Sequence, residues 1–239
     1  MPLTGLPAYR VRKSRRARRA RIQVTPLGDV EVVVPHGFNT VLIPAFLDSH
    51  QDWLEKVLAR TRSQRPLELD QPIPGNVTLA AIGKDYELFY RQGVRNRVKQ
   101  TEAALEVFLN PAAELHKVLQ RWLSQVARTH LTTVTEKVAT ETGLEFGRLS
   151  VRGQRSRWGS CSSKKDISLN RSLMFLEPEL VRYVILHELC HTQHMNHSRC
   201  FWRLVAHHES DFKSLDRQLR FGWSYVPRWA ISVSAGQSL

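Results

Sequence analysis

The stretch His187-Glu188-Leu189-Cys190-His191 constrains this chain more than any other. Two histidines four residues apart share a face only if the backbone there is an α-helix, with 3.6 residues to the turn. On that face both imidazoles can converge on one ion. Glu188, next to the first, reaches a water at the ion without binding the ion itself. This is the H-E-x-x-H arrangement of zinc hydrolases. The flanking residues agree with a helix: Pro178 stands at a favoured first position, and Val181, Val184 and Ile185 supply an apolar inner face. The spacing predicts a helix from 179 to about 194.

A catalytic zinc needs a third protein ligand and one open position. His194 lies on the same face as His187, but seven residues of helix rise about 10.5 Å, too far for one ion to bridge. It serves only if the helix unwinds before it. His197 fits better, because Asn196 is a helix terminator and the chain can fold back there. Its spacing, six after the second histidine, equals that of H-E-x-x-H-x-x-G-x-x-H enzymes, with His194 where those have glycine. Glu209, further downstream, is the alternative. His207 and His208 read as surface or supporting histidines.

Before this segment the chain divides by pattern. Residues 21–34 read as a hairpin, with Pro26-Leu27-Gly28-Asp29 as its turn. Helical spacing covers 39–62 after an Asn39 cap, and Pro66, Pro72, Pro74 and Gly75 mark a loop. Short strands are expected at 77–82, 86–90 and 104–109. The period changes at Asn110-Pro111, giving helices over 112–128 and 131–142, the second closed by Gly143, then strands near 146–151 and 167–169. The fold class is α+β: a β-rich region over 1–110 with one long helix, then a helical region over 111–239 with a short sheet.

Charge adds a question about partners. The 239 residues carry a formal net charge of +13, and eight of those charges (Arg10, Arg12, Lys13, Arg15, Arg16, Arg18, Arg19, Arg21) precede residue 22 with no acid among them. Such a run can bind nucleic acid, but it lacks interleaved aromatics; charge that keeps a strand edge from pairing is the favoured reading. It has no apolar core of a secretory signal, and Ser14 as its sole serine argues against a transit peptide. The apolar stretch 41–46, with Pro44 inside, falls far short of the roughly 18 residues of a membrane span. Three cysteines (Cys161, Cys190, Cys200) without C-x-x-C spacing suit buried free thiols in a cytoplasmic protein. A second basic stretch, 148–165, holds Arg148, Arg152, Arg155, Arg157, Lys164 and Lys165 with no acid. Within it residues 157–161 read equally as a rim of the cleft, where Arg157 pairs with a substrate carboxylate or phosphate and Gly159 lets a backbone approach closely, or as a structural turn with Trp158 in the core; no catalytic role is expected of them. Asn170 is a candidate for orienting a loop or touching substrate.

Several stretches together resemble the YgjP-like metallopeptidase domain family, related to the SprT and WLM zincin-like proteases: Ser156-Arg157-Trp158-Gly159-Ser160-Cys161, Ile167-Ser168-Leu169-Asn170, Tyr183 through His191, and Asn196-His197-Ser198 with Phe201-Trp202. The arginine-rich hairpin with Val34-Pro35 and Trp53 also fits, so the resemblance covers nearly the whole chain. It implies a zincin-like catalytic half in which His187, His191 and His197 bind zinc (Zn2+) and Glu188 is the catalytic acid/base. It also implies a packing role for Cys190. The expected activity is zinc-dependent hydrolysis of a peptide or protein substrate. The alternatives are hydrolysis of nucleotides or phosphate esters, suited to the basic residues of 148–165, and nucleic-acid binding through the basic start.

Overall fold

The arginine-rich start folds as strand. In the computed structural model, which describes residues 6–25, 27–63 and 66–231, Tyr9–Ser14 (β1), Arg21–Val24 (β2) and Val30–Pro35 (β3) form a sheet in the order β1-β3-β2. The hairpin expected over 21–34 is the antiparallel β2–β3 pair, turned through Gly28 at φ +80°; Pro26 of that turn lies outside the described residues. β1 pairs in parallel with β3, which leaves β1 and β2 at the two edges. All eight basic side chains are exposed there or on the connecting turn, as suits charge that guards strand edges. Arg12 pairs with Glu31 at 3.0 Å.

Alternate valines of β3 (Val30, Val32, Val34) share one face and pack with Ile43, Leu47, Leu54 and Leu58 into a core. The helix expected over 39–62 is broken. Asn39 Oδ1 accepts from the Val41 amide and opens a 3₁₀ turn at Thr40–Leu42. Ile43–Asp48 (α1) follows, and Gln51–Ser63 (α2) resumes after a break. At the break Ser49 Oγ and His50 Nδ1 both bond the Phe46 carbonyl, at 2.9 Å each, competing with helical pairing.

These elements belong to one of two compact units, Met1–Pro66; the other is Leu67–Leu239. The expected boundary near residue 110 falls inside the second unit. There Asn76–Leu79 (β4), Lys84–Gln92 (β5), Arg97–Gln100 (β6) and Ala104–Leu109 (β7) form a sheet in the order β4-β5-β7-β6. The helix Leu115–Thr142 (α3) is tied to it, since Trp122 Nε1 donates to Gln100 Oε1 at 2.9 Å. α3 runs unbroken where two helices are expected: residues 129–130 contain no proline or glycine, and Thr129 bonds back to the Gln125 carbonyl within the helix. It ends as expected at Gly143, left-handed at φ +69°.

Leu149–Arg152 (β8), Gly159–Cys161 (β9) and Ile167–Asn170 (β10) make a second sheet in this unit, ordered β8-β10-β9. β9 is too short to announce itself in the sequence. Three helices complete the unit: Pro178–Cys190 (α4), Arg199–His208 (α5) and Phe212–Leu219 (α6). α4 is buried nearly all round, with Leu180, Val181, Val184, Ile185, Leu186 and Leu189 inaccessible, as expected of a helix apolar on every side. The protein is thus α+β, with its sheets mainly in the first half and its helices mainly in the second. Among the described residues no helix is long and apolar enough to cross a membrane.

Candidate metal centre

α4 starts on Pro178 and ends at Cys190, about a turn earlier than its apolar pattern suggests. The amides of Thr192, Gln193 and His194 bond carbonyls at or beyond Leu189 in a tightening turn, after which the chain reverses. Ser198 Oγ then accepts from the Phe201 amide and caps α5. The reversal brings His197 back to His187, Nε2 to Nε2 at 3.0 Å. One potential ligand atom from each of His187, His191 and His197 lies within 4.8 Å of the other two, and this is the metal-capable cluster among the described residues.

The protein itself holds the three rings, His187 edge-on to Phe201 at 4.9 Å. His191 stacks on buried Phe201 (centroids 4.5 Å, 25°) and His197 on Trp202 (5.6 Å, 23°), which stacks in turn on Phe212. His191 Nδ1 lies 3.0 Å from the His194 carbonyl. A carbonyl only accepts, so Nδ1 carries the proton and Nε2 keeps its lone pair, the form a metal ligand needs. Burial pushes the His187 pKa down to about 4, helped by the charges of His191 and His197, and burial lowers His191 too. Neutral imidazoles are thus favoured. Zinc–nitrogen bonds of 2.0–2.1 Å in a tetrahedron set nitrogens about 3.3 Å apart, which falls between the 3.0 Å contact and the 4.8 Å limit found here. The donor set fits the metal.

Glu188 is turned away from solvent beside this cluster, 7% exposed. Burial raises its pKa to about 7, and the nearby Arg157 charge offsets part of that rise. Its side chain lies flat against β9: a Cβ at Gly159 would sit 2.6 Å from both Glu188 Cγ and Oε1. The sequence marks Gly159 as a point where a backbone approaches; what lies there instead is the side chain of the motif's own carboxylate.

The other candidates separate cleanly. Glu209 pairs with Arg182 at 3.5 Å and accepts from the Asp211 amide, outside the histidine cluster. His194 contributes its carbonyl, as described. His207 and His208 face each other, centroids 4.8 Å apart. Trp158 is core, stacked on Trp223 at 4.2 Å. Cys190 is fully buried, its thiol pushed up to about 12 by burial, so it packs; Cys161 is half-buried and Cys200 exposed at the start of α5, against the expectation of three buried thiols. Phe201 and Trp202 as ring supports escape sequence reading, although the capping serine three residues before Phe201 marks where their helix begins.

These burials make a prediction for the metal-free protein. Glu188 ordinarily titrates near 4.5 and here near 7. The folded chain therefore binds more protons than the unfolded one between those values, and this carboxyl costs stability as pH rises through the window. His187, lowered from 6.5 to about 4, works in the opposite direction over nearly the same range. Their effects largely cancel in the wild type. Glu188→Gln removes one side, so the variant should gain stability over wild type from pH 4.5 to 7, by up to about 3 kcal/mol. Chemical denaturation at stepped pH measures it, and a constant difference across the window would contradict the assignment.

A buried helix with paired histidines beside a short sheet is an arrangement that suits a metal-dependent hydrolase. The YgjP-like, metallopeptidase domain family matches over residues 18–221, and the chain belongs to that family. The family implies a metal ion and a peptide or protein substrate. Two solved structures resemble part of the chain. The metallopeptidase zymogen of Pyrococcus abyssi abylysin is 23% identical over 37% of this chain and 90% of its own, with a TM-score of 0.34. That of Methanocaldococcus jannaschii jannalysin is 18% identical over 38% and 87%, also at 0.34. No curated protein matches the chain.

Proposed function

We propose that this protein is a zinc-dependent peptidase in which His187, His191 and His197 hold the ion and Glu188 moves the proton. The observation that carries the reading is the convergence of the three imidazoles within 4.8 Å beside a buried carboxyl. Zinc, when bound, supplies a Lewis acid that acidifies water and polarises a carbonyl. Glu188, poised near neutrality by burial, takes a proton from the attacking water and returns it to the leaving nitrogen as the C–N bond breaks. The Gly159 contact fixes where that carboxylate points. β9 is an edge strand, so an extended peptide can add along it by main-chain pairing. In this reading Arg157, whose charge acts on Glu188, orients the substrate. Three free thiols favour the cytoplasm as the setting.

A second reading, hydrolysis of nucleotides or phosphate esters, draws on the exposed Arg152, Arg155 and Arg157, of which Arg157 acts on the Glu188 carboxylate. Purified protein should contain zinc, lose casein hydrolysis on chelation and regain it with zinc. Protein that carries no zinc, or hydrolysis that survives chelation, overturns the proposal. Turnover of nucleotides alone would transfer the site to the second reading.

A further inference from the structure

We infer that Asn170 is a positioning residue for Glu188, acting through the loop that carries Gly159. The inference rests on the proposed role of Glu188. Asn170 is fully buried at the end of β10. Its amide nitrogen spends both hydrogens on one loop, donating to the Gln154 carbonyl at 2.8 Å and the Arg157 carbonyl at 2.9 Å. Its backbone N–H donates to the Trp158 carbonyl at 2.8 Å. Three carbonyls within five residues are thus held by one side chain and its own amide. Asn170 Oδ1 faces the other way and accepts from the Ser172 amide at 3.0 Å, capping the 3₁₀ turn Arg171–Phe175.

The next residue along the loop is Gly159, which lies against Glu188. No slack separates clamp from carboxylate, because Gly159 also pairs in register with Leu169, the residue before Asn170. Trp158, between them, is stacked on Trp223, which gives the loop a further hold beside the clamp. The clamp needs two donors and one acceptor on a short, planar side chain. Asparagine supplies that set, while ionised aspartate supplies acceptors only.

Asn170→Asp keeps the shape and the cap but offers the loop at most one donor, where two are needed. Asn170→Ser also keeps a capping oxygen and cannot reach both carbonyls; it stands in should the first variant fail to fold. Each should lower kcat on the order of 10²-fold, the effect of displacing a catalytic group by about 1 Å, with KM within twofold and zinc content as in wild type. A second readout does not depend on activity: amide hydrogen exchange over residues 154–161 should accelerate in the variants while α4 stays protected. Unchanged exchange, or kcat per zinc equal to wild type, overturns the inference. So does a fall in kcat matched by a fall in zinc, which would make the role merely structural. Glu188→Gln run alongside separates the two ideas. If that variant stays active, the role proposed for Glu188 fails; if it is inactive while both Asn170 variants are active, the clamp alone is refuted.

Discussion

Glu188→Gln should lower peptide hydrolysis by on the order of 10³-fold while leaving the zinc in place. Glutamine has the volume and planarity of glutamate, so the contact with Gly159 and the packing of α4 persist. What disappears is the ability to take a proton from water, and acid–base catalysis of this kind is worth roughly 10²–10⁴-fold. The histidine rings are held by Phe201, Trp202 and the His194 carbonyl, none of which involves Glu188, so metal affinity has no reason to change. Measuring kcat/KM beside zinc content tests both halves. Activity within tenfold of wild type would remove Glu188 from the mechanism, and joint loss of zinc would recast it as a ligand or a structural group.

The second large effect is at Gly159. A methyl group there would lie 2.6 Å from Glu188 Oε1, closer than any real contact, and the carboxyl must swing away. A displacement of about 1 Å in a reacting group costs on the order of 10²-fold. Gly159→Ala should therefore approach Glu188→Gln in activity, although it changes no functional group. Gly159 does not have the positive φ that would make alanine strained, so the loss would report the lost contact and not the backbone. Gly75→Ala is the control, since a Cβ there meets nothing within 4 Å, and it should behave as wild type. Gly159→Ala with full activity would show that Glu188 tolerates movement.

These two positions mark the limit of what the sequence reveals. The paired histidines, the apolar faces of α4, the proline at its start and the reversal at Asn196 are local patterns, and each is visible in a window of a few residues. The β2–β3 hairpin and the glycine that ends α3 are legible for the same reason. The parallel partner of β3 is not, because the pairing of Tyr9 with Val30 joins segments that are separated in the chain and carry no shared pattern. β9 has three residues, fewer than alternation needs to show. The break between α1 and α2 comes from side chains bonding one carbonyl, which outweighs an unbroken helical spacing. The Gly159–Glu188 contact is tertiary: the glycine alone signals that something comes near, and only the fold says what.

His187 and His197 stand ten residues apart in the chain, one within α4 and the other just before α5. An ion held by both would act as a cross-link, closing a short loop much as a disulfide does. By the chain-entropy relation for such loops, that closure is worth about 2.7 kcal/mol at 25 °C through the states it denies the unfolded chain. The same atoms that would prepare a water for attack would thus also tie α4 to the turn before α5, so metal supply would add to the stability of the fold around the site as well as to its chemistry.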